Sequence, residues 1–211
     1  MSVSSPYFAG QDTGYASYRT IVTSRWPTVG PPPDLNSAQE YDRVVATLVD
    51  SDVISDAGMV YFDARPSARY PTVEVRVADA CPFVDDVILL AALARALVRV
   101  AALQDAAGEP APEAPQVLLR AATWRAARSG LDGHLVDPAT RSSVPAGERV
   151  DALMAHARPA LEERGDWKTA VELLAALRAR GTSASRQRRA NGPRELVATL
   201  AAETRDLGNL A

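Results

Sequence analysis

Apolar and polar residues alternate most regularly in Thr72 to Asp79 (TVEVRVAD). There Val73, Val75 and Val77 fall on one side of an extended chain, and Thr72, Glu74 and Arg76 on the other. A period of two predicts a strand. Met59 to Arg65 (MVYFDAR) has the same β-branched and aromatic bias, with Val60, Phe62 and Ala64 alternating with Tyr61, Asp63 and Arg65. The turn-forming stretch Pro66 to Pro71 separates the two, so they are expected to pair as neighbouring antiparallel strands. Their sheet would have one apolar face and one face bearing both signs of charge.

Elsewhere the period lengthens. Ser37 predicts the cap of a helix running to about Val49, with Tyr41, Val44, Val45 and Leu48 as its apolar stripe. Asp85 to about Ala107 is apolar nearly all round and predicts a long central helix packed on the apolar face of the sheet. Asp85 or Asp86 would sit among the free N–H groups at its start. Trp26 to Asn36 (WPTVGPPPDLN) is expected to be a stiff surface loop, because its prolines fix φ and remove donors. From about residue 105 onward Ala, Leu and Arg fill helical positions, predicting helices near 116–129, 146–164, 167–180 and 193–205. Gly130, Gly165, Gly181 and Gly192 would serve as stops or turns. Strands and helices are segregated, which predicts the α+β class. Three regions follow: 1–107 with the sheet and central helix, a Pro/Ala linker at 108–115 (GEPAPEAP), and a mostly helical region at 116–211 within the same functional unit.

Composition narrows the chemistry. With 47% hydrophobic and 23% charged residues the 211-residue chain can bury a core. A net charge of −3 gives no general attraction to nucleic acid or to an anionic membrane. The most apolar run, Val87 to Leu103, is broken by Arg95 and Arg99 and falls short of the ~20 residues of a membrane span. Met1 to Gly10 lacks a basic start followed by an apolar run, and a cytoplasmic location is the expectation. Cys81 is the sole cysteine, and His134 and His156 the only histidines, so neither an internal disulfide nor a Cys/His zinc site can be built. A bound metal would need carboxylates, which suits Mg²⁺ or Mn²⁺. The phosphate-binding GxxxxGK[ST], the dinucleotide-binding GxGxxG and the nucleophile-bearing GxSxG patterns are all absent.

Three constellations could carry chemistry. The first is Glu74 and Arg76 on one strand face with Arg65 and Asp63 on the neighbouring strand: a carboxylate for a cation, and guanidinium groups for phosphate or carboxylate oxygens. A solvated outer sheet face explains the same alternation. The second is QDTGYASYR, Gln11 to Arg19, rich in hydrogen-bonding and aromatic groups, which reads equally as a surface loop before a short helix. The third is GTSASRQRR, Gly181 to Arg189, either an anion-binding loop or a basic helix end. His134 in its turn, His156 on its helix and Cys81 in DACP read more simply as surface or packing residues.

Together SSPYFAGQDTGYASYR, the WPTVGPPP loop, ARPSARYPTVEVRVADAC and GTSASRQR resemble, in order, the second half of bacterial carboxylate–amine ligases of the glutamate–cysteine ligase type 2 family, from about Ser4 to at least Arg188. The resemblance implies a partial glutamine synthetase-like antiparallel sheet backed by helices. It also implies ATP-dependent ligation, in which a glutamate-type carboxylate is phosphorylated and a small amine attacks the acyl phosphate. Under it Glu74 would coordinate Mg²⁺ (or Mn²⁺) at the nucleotide phosphates, and Arg76 would neutralise the transferring phosphoryl group. Arg65 would bind phosphate or the substrate carboxylate, Tyr18 and Arg19 would contact substrate, and Arg186, Gln187 and Arg188 would belong to the nucleotide or phosphate site. The family's glutamate-rich strand and HxH-type motif have no counterpart here. The implied completion is a separately encoded amino-terminal half or self-association. The alternative is a non-catalytic binding or assembly module that needs such a half.

Overall fold

The computed structural model describes residues 5–205. Strand β1 (Tyr7–Phe8) and strand β2 (Gln11–Asp12) form a tight antiparallel hairpin around Ala9 and Gly10, both at positive φ (49° and 78°), as a mirror-image two-residue turn demands. A short helix α1 (Tyr18–Thr23) and the proline-rich loop follow, and then helix α2 (Ala38–Asp50). The Ser37 hydroxyl accepts from the Glu40 amide at 3.1 Å, as a cap should. Strand β3 (Ala64–Pro66) pairs antiparallel with strand β4 (Val73–Val75), Arg65 directly opposite Glu74. Helix α3 (Val84–Ala106), helix α4 (Gln116–Ser129), a hairpin of β5 (His134–Asp137) and β6 (Ser142–Pro145), helix α5 (Ala146–Glu163), helix α6 (Trp167–Arg180), helix α7 (Ser183–Gln187) and helix α8 (Pro193–Arg205) complete the order. The class is α+β, with antiparallel two-stranded sheets among the described residues.

The main core lies between α3, α5 and α6. Leu89, Leu93 and Ala96 recur at helical spacing on α3 and meet Val150, Met154, Ala157, Ala160 and Leu161 of α5 and Ala170, Leu174 and Leu177 of α6. Alanines at these positions let the helix axes approach closely. Across the rim Arg99 grips Glu163 with two hydrogen bonds of 2.9 Å, and Arg95 pairs with Asp166. The central helix of the first predicted region and the helices of the second therefore share one core. A smaller cluster of Val45, Ile54, Val60 and Phe62, flanked by Tyr41, Leu48 and Val49, seats α2 behind the approach to β3.

Two expectations require correction. Strands β3 and β4 are shorter than predicted, since Met59 ends a single 3-10 turn (Ala57–Met59) and Val60 and Phe62 are buried in the smaller cluster. The sheet also faces the other way: Val73, Val75 and Val77 are 48%, 43% and 60% exposed, while Arg65 is buried and Glu74 and Arg76 are half-buried. The long helix packs on α5 and α6 rather than on the valines, because those helices offer it a continuous apolar stripe. No helix among the described residues is long and apolar enough to cross a membrane.

The core assignment predicts that Leu161→Ala, at a fully buried position, lowers stability by about 2–5 kcal/mol. Val117→Ala, on the exposed face of α4, should change it by less than about 0.5 kcal/mol. Urea unfolding of the two variants checks this.

Candidate active site

Cross-strand pairing sets the centre of the site. Because Arg65 stands opposite Glu74, their side chains rise from the same face, and Arg76, two residues on, joins them. The Arg65 side chain is only 4% exposed. Its Nε and Nη2 donate to Glu74 Oε2 at 3.2 and 3.0 Å, and its Nη1 donates to the Ala57 carbonyl at 2.6 Å. Arg76 Nη2 donates to the same Glu74 oxygen at 2.6 Å. Hydrogen bonds from Arg65, then from Arg76, hold the Glu74 carboxyl below the usual glutamate range. The Arg76 guanidinium lies 5.7 Å from the centre of the Tyr61 ring, and its Nε is buried without a hydrogen-bond partner.

The neighbouring loops reach this charged face. The Arg76 amide donates to the Asp63 carbonyl at 2.8 Å, which extends the pairing one residue beyond the strands. Burial raises the Asp63 carboxyl above its ordinary value, opposed by the nearby charge of Arg19. Arg19 also sits 4.0 Å from Asp79 Oδ1. The sequence motifs around Arg19 and around Glu74 thus converge. Tyr18 packs against Phe8 with ring centres 5.1 Å apart and against Tyr15 at 6.0 Å.

Within Gly181 to Arg189 lies the short helix α7, capped by the Thr182 hydroxyl, which accepts from the Ser185 amide at 3.2 Å. Its three candidate residues take different positions. Arg186 donates to both Glu203 oxygens at 2.8 and 3.1 Å and to the Gly181 carbonyl at 2.5 Å, with its guanidinium 4.9 Å from the Phe83 ring centre. Arg180 covers Phe83 as well, at 4.5 Å, and pairs with Asp86, whose carboxyl burial pushes up against the pull of that arginine. Gln187 is buried, donating to Ser183 Oγ at 3.0 Å, with its Oε1 left without a partner. Arg188 turns to the other motif: Nε and Nη2 donate to the two Asp12 oxygens at 2.8 Å each, and Nη2 also donates to the Tyr15 carbonyl at 3.0 Å.

Sequence reasoning passed over Asp12 as an individual residue. Its signal was the spacing Asp-Thr-Gly: the Gly14 amide donates to Asp12 Oδ1 at 2.8 Å, an Asx turn that holds the carboxylate where Arg188 can grip both of its oxygens. Gly14 itself takes φ +73°, a conformation that favours glycine, and lies against the guanidinium end of Arg128, which a Cβ would push aside. The bland reading of Gln11 to Arg19, a loop before a short helix, describes its backbone only beyond Asp12, since Gln11 and Asp12 form strand β2. His134 lies at the exposed start of β5 rather than in a turn, and His156 on the exposed side of α5.

Among the described residues no three His, Cys, Asp or Glu side chains come together as a metal cluster. Glu74, neutralised by two arginines, does not make a Mg²⁺ site with the carboxylates of the described residues alone. What the centre offers is a pair of fixed guanidinium groups around one carboxylate, suited to orienting anionic oxygens.

Comparison with known proteins identifies relatives. The model of glutamate–cysteine ligase family 2 matches residues 1–203. The Frankia alni protein named "Putative glutamate--cysteine ligase 2-3" is 52% identical over 211 residues, covering 98% of this chain and 25% of that protein. The Mycolicibacterium smegmatis "Putative glutamate--cysteine ligase 2-2" is 49% identical over 216 residues, covering 100% of this chain and 54% of that protein. The Salinispora arenicola "Putative glutamate--cysteine ligase 2" is 49% identical over 210 residues, covering 97% and 56%. The chain spans about a quarter to about half the length of these relatives.

The latch between Asp12 and Arg188 has a pH signature. The hydrogen bonds from Arg188, then from Gly14, hold the Asp12 carboxyl down to about 2, from an ordinary 3.8. A depressed carboxylate contributes its stabilisation in full above its unfolded value and loses it as pH falls through the folded one. Asp12→Asn is therefore expected to lower the urea midpoint above about pH 4 and to converge with the parent chain near pH 2. A midpoint difference that stays constant from pH 7 to pH 2 would contradict the latch.

Proposed function

Because this chain belongs to glutamate–cysteine ligase family 2, we propose that it carries part of the active site of an ATP-dependent carboxylate–amine ligase. The observation that supports the reading best is the convergence of Arg65 and Arg76 on Glu74, with Arg19 beside the same strands. In the proposed reaction a γ-carboxylate oxygen of a glutamate-like substrate attacks the terminal phosphorus of ATP and ADP leaves. The nitrogen of a small amine such as cysteine then attacks the acyl carbon, phosphate departs, and the amine loses a proton.

Each residue receives a role from where it sits. Arg76, half-exposed and steadied by Tyr61 and Glu74, faces the charge on the transferring phosphoryl group. Arg65, with all three of its nitrogens committed to Glu74 and Ala57, is the positioning residue that holds the carboxylate in place. Arg19, whose charge reaches Asp63, and its neighbour Tyr18 would contact the substrate. Arg188 orients the Asp12 to Tyr15 loop towards them, while Arg186 and Gln187 hold the turn from which Arg188 projects. Glu74 would be one ligand of the Mg²⁺ that ATP brings, the remaining carboxylates coming from polypeptide outside these 211 residues or from a second copy. The exposed valines on the opposite face of β4 are the surface along which that polypeptide would pack.

A second reading has its own observation. The lack of a three-ligand cluster among the described residues favours a binding or assembly module that becomes competent only with a partner half. Mg²⁺-dependent ADP release in the presence of ATP, glutamate and cysteine separates the two. Glutamate-dependent release that falls about 100-fold or more in Glu74→Gln supports the ligase site. Release equal in Glu74→Gln and the parent chain contradicts it, and a folded parent chain that releases no ADP favours the module. The glutamine variant is the better choice, because it keeps an acceptor oxygen for the buried Arg65 guanidinium and so costs less stability than Glu74→Ala, which would leave that group without a side-chain partner.

A further inference from the structure

The loop opened by Trp26 is not absorbed by the proposed reaction, yet it is built with care beside the site. The Thr28 hydroxyl, on a buried residue, donates to the Met59 carbonyl at 3.0 Å and accepts from the Tyr61 amide at 3.1 Å. The Asp63 amide donates to the Gly30 carbonyl at 2.8 Å, next to a parallel bridge between Gly30 and Phe62. These bonds fix the loop against the strand that leads to Arg65. They bring the Trp26 ring to 6.1 Å from the Tyr61 ring, at 58°, with the Arg76 guanidinium on Tyr61. Trp26 itself remains 55% exposed. More than half of its surface is therefore open to a ligand among the described residues. The other exposed aromatic set differs on this point, since the Trp124 indole donates to the Tyr15 hydroxyl at 3.1 Å and Arg128 lies against Tyr15, so its polar and aromatic groups already have partners.

We propose that Trp26, backed by Tyr61, is a nucleobase platform: the base of an adenine nucleotide stacks on the exposed Trp26 ring, and its phosphates extend towards Arg76. The proposal rests on the nucleotide-dependent reading above and adds to it the location of the base. Charge selects this occupant. A cationic amine would meet the Arg76 guanidinium already seated on Tyr61, whereas a neutral planar base carrying anionic phosphates meets an aromatic face first and a guanidinium next. The pre-fixed loop means that little order is lost on binding.

The test is calorimetric titration of the full 211-residue chain with ADP and, separately, with inorganic triphosphate, both with magnesium chloride. Trp26→Ala is expected to weaken ADP about tenfold while leaving triphosphate affinity unchanged, and Trp26→Phe to restore most of the loss. Because the ring is exposed, both variants should keep the parent unfolding midpoint. Parent-like ADP affinity in Trp26→Ala overturns the platform and leaves the nucleotide reading standing. Equal weakening of ADP and triphosphate overturns it too, by assigning the effect to the loop. A parent chain that binds no ADP overturns both the platform and the nucleotide part of the proposed function.

Discussion

A guanidinium group taken out of water must be given an anion and enough acceptors, and Arg65 is the residue on which this constraint falls. Its solution is Glu74, directly across the strand pair, with the Ala57 carbonyl at the far end. Much of the local structure follows from that requirement. Placing Arg65 and Glu74 side by side fixes the register of β3 and β4, and a slip of one residue would turn the pair to opposite faces. The charged face is thereby drawn inward and the three valines of the second segment outward. Arg76, carried along by the period of two, arrives beside the same carboxylate with donors to spare.

The helices supply the frame. The core between α3, α5 and α6 fixes the ends from which the functional loops spring: Phe83 at the start of α3 is held between Arg180 at the end of α6 and Arg186 on α7. From that stack Arg188 reaches back across 176 positions of sequence to Asp12. The first hairpin, the long helix and the arginine-rich turn are thus tied together by guanidinium contacts, in a chain with a single lysine. Arginine suits the task because its planar fork can grip a carboxylate at two points and lie flat on a ring at once.

The helices were legible in the sequence because their apolar periods, caps and glycine stops agree. Ser37, Gly130 and Gly181 each stand where a helix begins or ends. The strand pairing was legible too, as was the sharing of one face by Arg65, Glu74 and Arg76. Which face turns inward was not, because alternation specifies two faces without ranking them, and nothing local to the valines shows that they stay exposed among the described residues. The β1–β2 hairpin escaped notice since Ala9-Gly10 is a weak turn signal, one of its two positive φ values falling on alanine. Of the candidate site, the residue types were visible but the long-range partners were not. Nothing local in Asp12 announces Arg188, and nothing local in Trp26 announces Tyr61.

The inward turn of the charged face is tested most directly by a double-mutant cycle on the pair that imposes it. Arg65→Met and Glu74→Gln are each expected to lower stability in urea, and the double variant to cost clearly less than the sum of the two, because each removes the partner the other needs. Strict additivity would mean that Arg65 and Glu74 do not depend on one another. The register, the outward valines and the charged centre would then need a different cause.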